Sequence, residues 1–161
     1  MRKSRFFTPE FTQAIVRKIE AAYSLSDVKC QLLTATMCDV YLITSFQGKN
    51  IFYIYRHAQR TREEITAEWH FVAYLFAHNI SVAPAILNKD GGLMLEFNVP
   101  EGELYGLLTT YVEGEHFRRR ASTEAATEIG RSIAQIHLLS DRMRPNCTDN
   151  QMILIVCWNN M

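Results

Sequence analysis

Two residues of opposite charge, Arg56 and Glu68, are spaced so that they could act together in binding phosphate. Arg56 ends a strand-like apolar run that begins at Ile51, and Glu68 adjoins the apolar stripe of a predicted helix over 62–78. A cation at a strand end and a carboxylate on the next helix can meet over the sheet, where the carboxylate orients the cation toward phosphate oxygens. The same pattern also fits two unrelated surface charges.

The elements that must position this pair follow from local signals. Thr8-Pro9-Glu10 is a helix start, with an N-cap hydroxyl, a proline at the first helical position and an acid in the first turn. A second helix is predicted over 62–78 and a third begins at Ser122. Short apolar runs predict the strands, in chain order 28–34, 40–46, 51–56, 85–87, 93–97 and 107–112.

The connections between these runs indicate the fold class. Gln47-Gly48-Lys49-Asn50 separates two strand-like runs and has the residues of a tight hairpin. Hairpins imply antiparallel pairing. The sequence therefore predicts an α+β fold, with an antiparallel sheet of about five strands and one helix, 62–78, packed across it.

Composition excludes several classes of function. Seventeen Lys and Arg balance seventeen Asp and Glu, so net charge indicates neither a nucleic-acid partner nor an acidic membrane surface. No apolar run approaches the ~20 residues of a membrane span. The basic N-terminus lacks a following apolar segment, so we expect a cytoplasmic protein. The four cysteines form no metal-ligand spacing with one another or with histidine, and no metal site is predicted.

Six short segments carry a resemblance to a known family. In order along the chain they are 39–43, 52–56, 64–75, 80–84, 108–114 and 130–137. Their order and spacing resemble those of the aminoglycoside phosphotransferase and homoserine/choline kinase superfamily. That resemblance implies the N-terminal lobe of a protein-kinase-like fold, followed by the first helix of a C-terminal lobe. It also implies ATP and Mg²⁺ as cofactors and a small-molecule hydroxyl as the acceptor.

The resemblance assigns nucleotide-binding roles to individual positions. Arg56 matches the family's phosphate-contacting cation on the third strand, and Glu68 matches its ion-pair partner. Val40 and Ile54 would form the roof of the adenine pocket. The hinge, whose backbone groups bind the adenine edge, would begin with Thr110, Tyr111 and Val112.

Other family features are absent from the sequence. The loop at 34–39 has no glycine, whose freedom lets backbone N–H groups close on phosphates. The His-x-Asp-x4-Asn loop is also missing. Asp141 and Asn146 have its last spacing, but His137 lies too far ahead and Asp141 is predicted to end a helix. No catalytic or metal-binding residue is therefore assigned, and we expect the chain to be inactive.

These observations divide the chain into three parts. Residues 1–113 form the kinase-like lobe, 114–144 the segment after the hinge with the first C-terminal-lobe helix, and 145–161 an atypical, β-prone tail. The tail indicates either a longer kinase cut short or an edge strand or dimer contact. We expect the helix after Ser122 to leave apolar surface exposed, through which the chain could form homo-oligomers.

Two functional hypotheses follow from the sequence. The first is the ATP-binding lobe of a small-molecule phosphotransferase, inactive as this chain. The second is a non-catalytic nucleotide-binding or interaction module, or a truncated remnant.

Overall fold

A computed structural model describes residues 8–56, 59–100, 102–114 and 122–143. One helix, three strands, a helix, two strands and a final helix follow one another in these ranges, in the order that the sequence predicts. In chain order they are α1 (Pro9–Tyr23), β1 (Lys29–Ala35), β2 (Cys38–Ser45), β3 (Gly48–Tyr55), α2 (Arg62–Ala77), β4 (Leu95–Val99), β5 (Gly102–Thr110) and α3 (Thr123–Met143). The predicted tail at 145–161 lies outside the described residues.

The strands form one antiparallel sheet in the order β1-β2-β3-β5-β4. The hairpin between β2 and β3 is tighter than predicted, because Ser45 pairs directly with Gly48. Gly48 has a φ of 131°, a conformation that favours glycine. The pairing of β1 with β2 shifts register between Leu32 and Thr34, which marks a bulge in this edge strand. The predicted five-stranded antiparallel sheet is confirmed.

Helix α1 covers one face of the sheet. Its N-cap is Thr8, whose hydroxyl accepts a hydrogen bond from the Phe11 backbone N–H at 3.2 Å. Ile15 and Ile19 are fully buried against strand residues such as Phe52. We call this the α1 face. Its buried members from the strands are Tyr41, Ile43, Phe52, Ile54, Leu95, Phe97, Leu104 and Leu108.

Helix α2 covers the opposite face, so the sheet lies between two helices where the sequence predicted one. A capping box at Thr61 and Glu64 begins α2, with each side chain bonded to the other residue's backbone N–H. Ile65 and Trp69 then pack on the sheet. We call this the α2 face. Its buried strand residues are Cys38, Val40, Ile51, Tyr55 and Leu107.

Two strand predictions differ from the structure. Strand β5 begins at Gly102, well before the predicted start at residue 107, because Gly102 adopts a φ of 127° and pairs with Val99. The run at 85–87 forms a single bridge, from Ala85 to Thr109, instead of a strand.

Helix α3 makes few contacts with the rest of the described chain. Near its C-terminal end, Leu139 packs against Leu75 and Ile80. Apolar side chains elsewhere on α3 are open to solvent, with Ile133 49% and Leu138 63% exposed. The predicted exposure of this helix is therefore confirmed. Within the described ranges, no helix combines the length and apolar content needed to cross a bilayer.

Candidate nucleotide site

Strand β3 defines two ends of a possible binding surface. At its start, Asn50 pairs with Thr110 at the end of β5, which we call the hinge end. At its finish, Tyr55 pairs with Cys38 beside the turn from β1 to β2, which we call the turn end. The two ends are about 17 Å apart at ~3.3 Å per strand residue. An elongated ligand such as a nucleotide can span such a distance.

The hinge end has open backbone. After Thr110 the chain leaves the sheet, and Tyr111 and Val112 are 37% and 65% exposed. No backbone hydrogen bond in the described part of the chain engages these two residues. The Lys49 ammonium lies 5.3 Å from the centre of the Tyr111 ring. Exposed peptide groups at this end are available to pair with a planar heterocycle's edge.

The two predicted roof residues lie on opposite faces of the sheet. Val40 belongs to the α2 face and Ile54 to the α1 face, where it is 1% exposed. They cannot line one pocket, so the roof assignment of Ile54 is corrected. The strand residue that shares the α2 face with Val40 near the hinge end is Ile51, which pairs with the half-buried Leu42.

Arg56 does not meet Glu68. Its Nη2 and Nε donate to one carboxylate oxygen of Asp39, at 2.5 and 3.1 Å. Asp39 is 1% exposed and lies on β2 between the α2-face residues Cys38 and Val40, so its side chain points to the α1 face. The predicted ion pair across the α2 face is therefore replaced by a buried pair on the other side.

Glu68 finds its cation in the connection before α2. Its Oε2 lies 2.9 Å from Arg60 Nη1, and the two side chains are 21% and 18% exposed. The atoms are close, but the guanidinium N–H is not aligned with Oε2 as a hydrogen bond. Arg60 Nε also lies 3.6 Å from Glu64 Oε2. A half-buried pair thus occupies the position predicted for Arg56 and Glu68, with Arg60 as its cation.

Aromatic side chains fill the α2 face beside this pair. The Trp69 indole N–H donates to the Tyr55 hydroxyl at 2.8 Å, and the Trp69 ring lies 5.9 Å from that of Tyr53. Strand alternation places Ile51, Tyr53 and Tyr55 toward α2. The cation of β3 with the same alternation, Lys49, lies at the hinge end beside Tyr111, so β3 presents no cation to Glu68.

Both buried carboxyls have raised pKa values, chiefly because burial disfavours their charged forms. Arg56 opposes the shift at Asp39, through a hydrogen bond and its charge. Arg60 opposes it at Glu68. Each arginine thus only partly offsets the desolvation of its carboxyl.

A metal site does not fit the described residues. No group of three or more His, Cys, Asp or Glu side chains in these ranges is placed to hold an ion. A phosphate group fits better, since the Arg60 side chain is 18% exposed and its guanidinium has more N–H groups than its contacts to Glu64 and Glu68 use. We therefore assign no Mg²⁺ ligand and derive no step through the metal.

Sequence reasoning missed Arg60 and Ile51. The sequence contained one signal for the direction of the β3 side chains. A hairpin loop with an even number of residues pairs even-numbered residues of one strand with odd-numbered residues of the next. In the structure Val40 pairs with Tyr53. The same parity places Ile54 and Arg56 away from α2. No comparable signal marks Arg60, whose side chain is positioned by the chain path after β3.

The fold is shared with solved small-molecule kinases. An amicoumacin kinase in complex with AMP-PNP, Ca²⁺ and Ami superposes with a TM-score of 0.67 at 22% identity, over 85% of this chain and 41% of its own. A microcompartment-associated aminopropanol kinase gives 0.65 at 17%, over 86% and 42%. A spectinomycin phosphotransferase with ADP and spectinomycin gives 0.62 at 13%, over 89% and 43%. These likenesses confirm a kinase-like N-terminal lobe.

Sequence comparison gives the family. The protein sll1119 of Synechocystis sp. is 30% identical over 117 residues, which are 73% of this chain. The aligned part is 32% of sll1119, so the chain spans about a third of that relative. A sequence model described as "Phosphotransferase enzyme family" matches residues 38–152. That match covers most of the chain, which therefore belongs to the phosphotransferase enzyme family.

Proposed function

We propose that this chain is the ATP-binding lobe of a small-molecule phosphotransferase and that it transfers no phosphate by itself. The observation that carries the proposal is the α2 face. It joins an open hinge end, with Tyr111 and Val112 exposed, to a partly exposed cation at the turn end, Arg60 on Glu68. Family membership supports phosphoryl transfer as the chemistry to which this surface contributes.

Different residues contact the base and the phosphates of the nucleotide. Backbone groups at Tyr111 and Val112 hydrogen-bond the adenine edge. Leu42, which is half-buried beside Val40 and Ile51 on the α2 face, offers an apolar contact for the base. The triphosphate extends along β3 toward the turn end. ATP supplies the transferable phosphoryl group, and this lobe binds and orients it.

The inactivity of this chain alone follows from what the sequence contains. Phosphoryl transfer needs carboxylates that orient the acceptor hydroxyl and hold the metal. The sequence has no His-x-Asp-x4-Asn segment. Asp141, the closest approach to that pattern, lies within the last turns of α3. Binding without turnover is the expected behaviour.

Two measurements test the proposal. Calorimetric titration with MgATP should give saturable binding at one site, and unfolding should shift to higher temperature as nucleotide is added. ADP release should stay at the no-protein rate with a panel of amino-alcohols and aminoglycosides as acceptors. Absence of MgATP binding would remove the nucleotide-binding role, and turnover with any acceptor would remove the inactivity.

The exposure of α3 favours a second candidate, a non-catalytic nucleotide-binding or interaction module. Ile133 and Leu138 are apolar and mostly open to solvent, as surfaces that bind another protein are. This module would form oligomers by burying that face. Light scattering of the chain and of an Ile133→Ser/Leu138→Ser variant tests it, because a monomer in both cases would exclude self-association through α3.

A further inference from the structure

We propose that Arg60, held by Glu68, is the residue of this lobe that contacts the nucleotide phosphates, and that Arg56 does not. The inference rests on the proposed function and names the phosphate-contacting residue within it. The observation behind it is that the two arginines have different carboxylate partners. They lie near the same end of the sheet but belong to different faces.

Arg56 is committed to Asp39. Both of its donating nitrogens reach one oxygen of a carboxylate that is 1% exposed. Turning the guanidinium toward a ligand would leave that carboxylate buried without its cation, which is strongly unfavourable. Strand alternation also directs the Arg56 side chain away from α2. Arg56 therefore stabilises the α1 face.

Strand β3 supplies no substitute. In kinases a lysine on the third strand pairs with a glutamate of the following helix and contacts the phosphates. Here the β3 residues that face α2 are Lys49, Ile51, Tyr53 and Tyr55, and Lys49 lies at the hinge end, over the Tyr111 ring. Tyr55 is bonded to Trp69, and Tyr53 packs on the same indole. The cation that meets Glu68 comes from the next segment instead.

Arg60 meets the geometric requirements. It follows the end of β3 by a few residues, so it lies at the turn end, where the phosphates of a nucleotide bound at the hinge would reach. Its side chain is 18% exposed, against 24% for Arg56, with Nη1 2.9 Å from Glu68 Oε2 and Nη2 donating to the Glu64 carbonyl oxygen at 3.4 Å. Each of these terminal nitrogens carries a second N–H, so a phosphate can be bound while Glu64 and Glu68 keep the guanidinium in place.

The second nearby carboxylate does not cancel this charge. Glu64 Oε2 accepts the Thr61 backbone N–H at 2.9 Å and so completes the capping box of α2. The positive end of the helix dipole offsets part of its negative charge, and its distance to Arg60 Nε is longer, at 3.6 Å. Glu68, in the next turns of the helix, is left as the partner that positions Arg60.

The experiment compares MgATP with adenosine, which has the same base and no phosphate. Dissociation constants are measured by calorimetry for wild type, Arg60→Gln, Arg60→Lys, Arg56→Gln and Glu68→Gln. Arg60→Gln should weaken MgATP about tenfold, the loss of roughly one charge-assisted contact. It should leave adenosine within about twofold of wild type. Arg60→Lys should recover part of the MgATP affinity.

The control is Arg56→Gln, which should lower the unfolding temperature and leave the affinity of the folded protein for both ligands within about twofold. Glu68→Gln should weaken MgATP by a smaller factor than Arg60→Gln, because it acts through Arg60. Unchanged MgATP binding in Arg60→Gln, or a selective loss in Arg56→Gln, would overturn the inference alone. A wild type that binds neither ligand would overturn the proposed function and the inference with it.

Discussion

The two faces of the sheet differ in how they bury charge. On the α1 face the buried cluster is apolar apart from tyrosine, and an ion pair joins the fully buried Asp39 to Arg56, which is 24% exposed. On the α2 face Arg60 and Glu68 both remain about one-fifth exposed, beside an aromatic cluster bonded through Trp69. A charge that water cannot reach must be paired at all times, whereas a partly hydrated pair can exchange partners. Burial of Asp39 therefore fixes the first pair, and the proposed ligand contact falls on the second.

The largest expected effect separates the two arginines by stability. Arg56→Gln should lower the free energy of unfolding by about 3 kcal/mol, because Asp39 is left buried without its cation. Arg60→Gln, the matched change on the α2 face, should cost about 1 kcal/mol, since its pair is partly hydrated. Urea denaturation of both variants measures the difference. Equal losses would show that the faces do not differ in this way.

The next effect tests the packing of the α1 face. A Cβ on Gly106 would lie 2.3 Å from the Phe52 ring and 2.9 Å from the Phe97 ring. Gly106→Ala should therefore cost about 2 kcal/mol in the free energy of unfolding, through overpacking. Gly130→Ala is the control, because a Cβ there meets nothing within 4 Å in helix α3. If the two variants were equally stable, the α1 face would be more adaptable than its geometry indicates.

A smaller effect is expected from the aromatic cluster of the α2 face. Tyr55→Phe leaves the buried Trp69 N–H without its acceptor, at a cost of about 1–2 kcal/mol. Tyr105→Phe is the control, since it removes only a hydrogen bond to Glu103 near solvent. Thermal unfolding of the two variants distinguishes them. A loss no greater for Tyr55→Phe than for the control would mean that the Trp69 N–H finds another partner.

The smallest effect is a dependence of stability on pH. Burial raises the pKa of Glu68 in the folded state, so between the ordinary carboxyl pKa and the raised value the folded chain binds the extra proton. Relative to Glu68→Gln, wild type should become more stable as the pH falls from 7 toward the ordinary pKa of a glutamate carboxyl. It should lose that gain as the pH rises through the raised pKa that Glu68 has in the folded chain. Urea unfolding of both proteins across this range measures the difference. A relative loss on acidification would indicate that Arg60 dominates over burial.

The sequence was a good guide to the elements and a poor one to the partners of charged residues. Helix caps and short apolar runs depend on neighbours along the chain, so α1, α2 and the strands lie close to their predicted positions. The predicted start of β5 was wrong because Gly102, which has a positive φ, follows Pro100 in a segment with the composition of a loop. Local patterns do not reveal such a tight return of the chain.

The site residues show why partners are harder to predict. Arg56 and Glu68 have the residue types and the spacing of a nucleotide-binding pair, but Asp39 lies closer to Arg56 through pairing between strands. Register and side-chain direction decide that competition, and a one-residue change reverses them. Arg60 lies outside the helices and strands, so no helical or strand periodicity predicts the position of its side chain. The exposed hinge, by contrast, follows from where β5 ends.

The bulge between Leu32 and Thr34 has a consequence for how copies of the chain can meet. Strand β1 is an edge of the sheet, with free backbone groups that could template a strand from another molecule. The register shift interrupts the regular spacing of those groups, so an incoming strand cannot pair along the full edge. Ordered aggregation through β1 is thereby opposed.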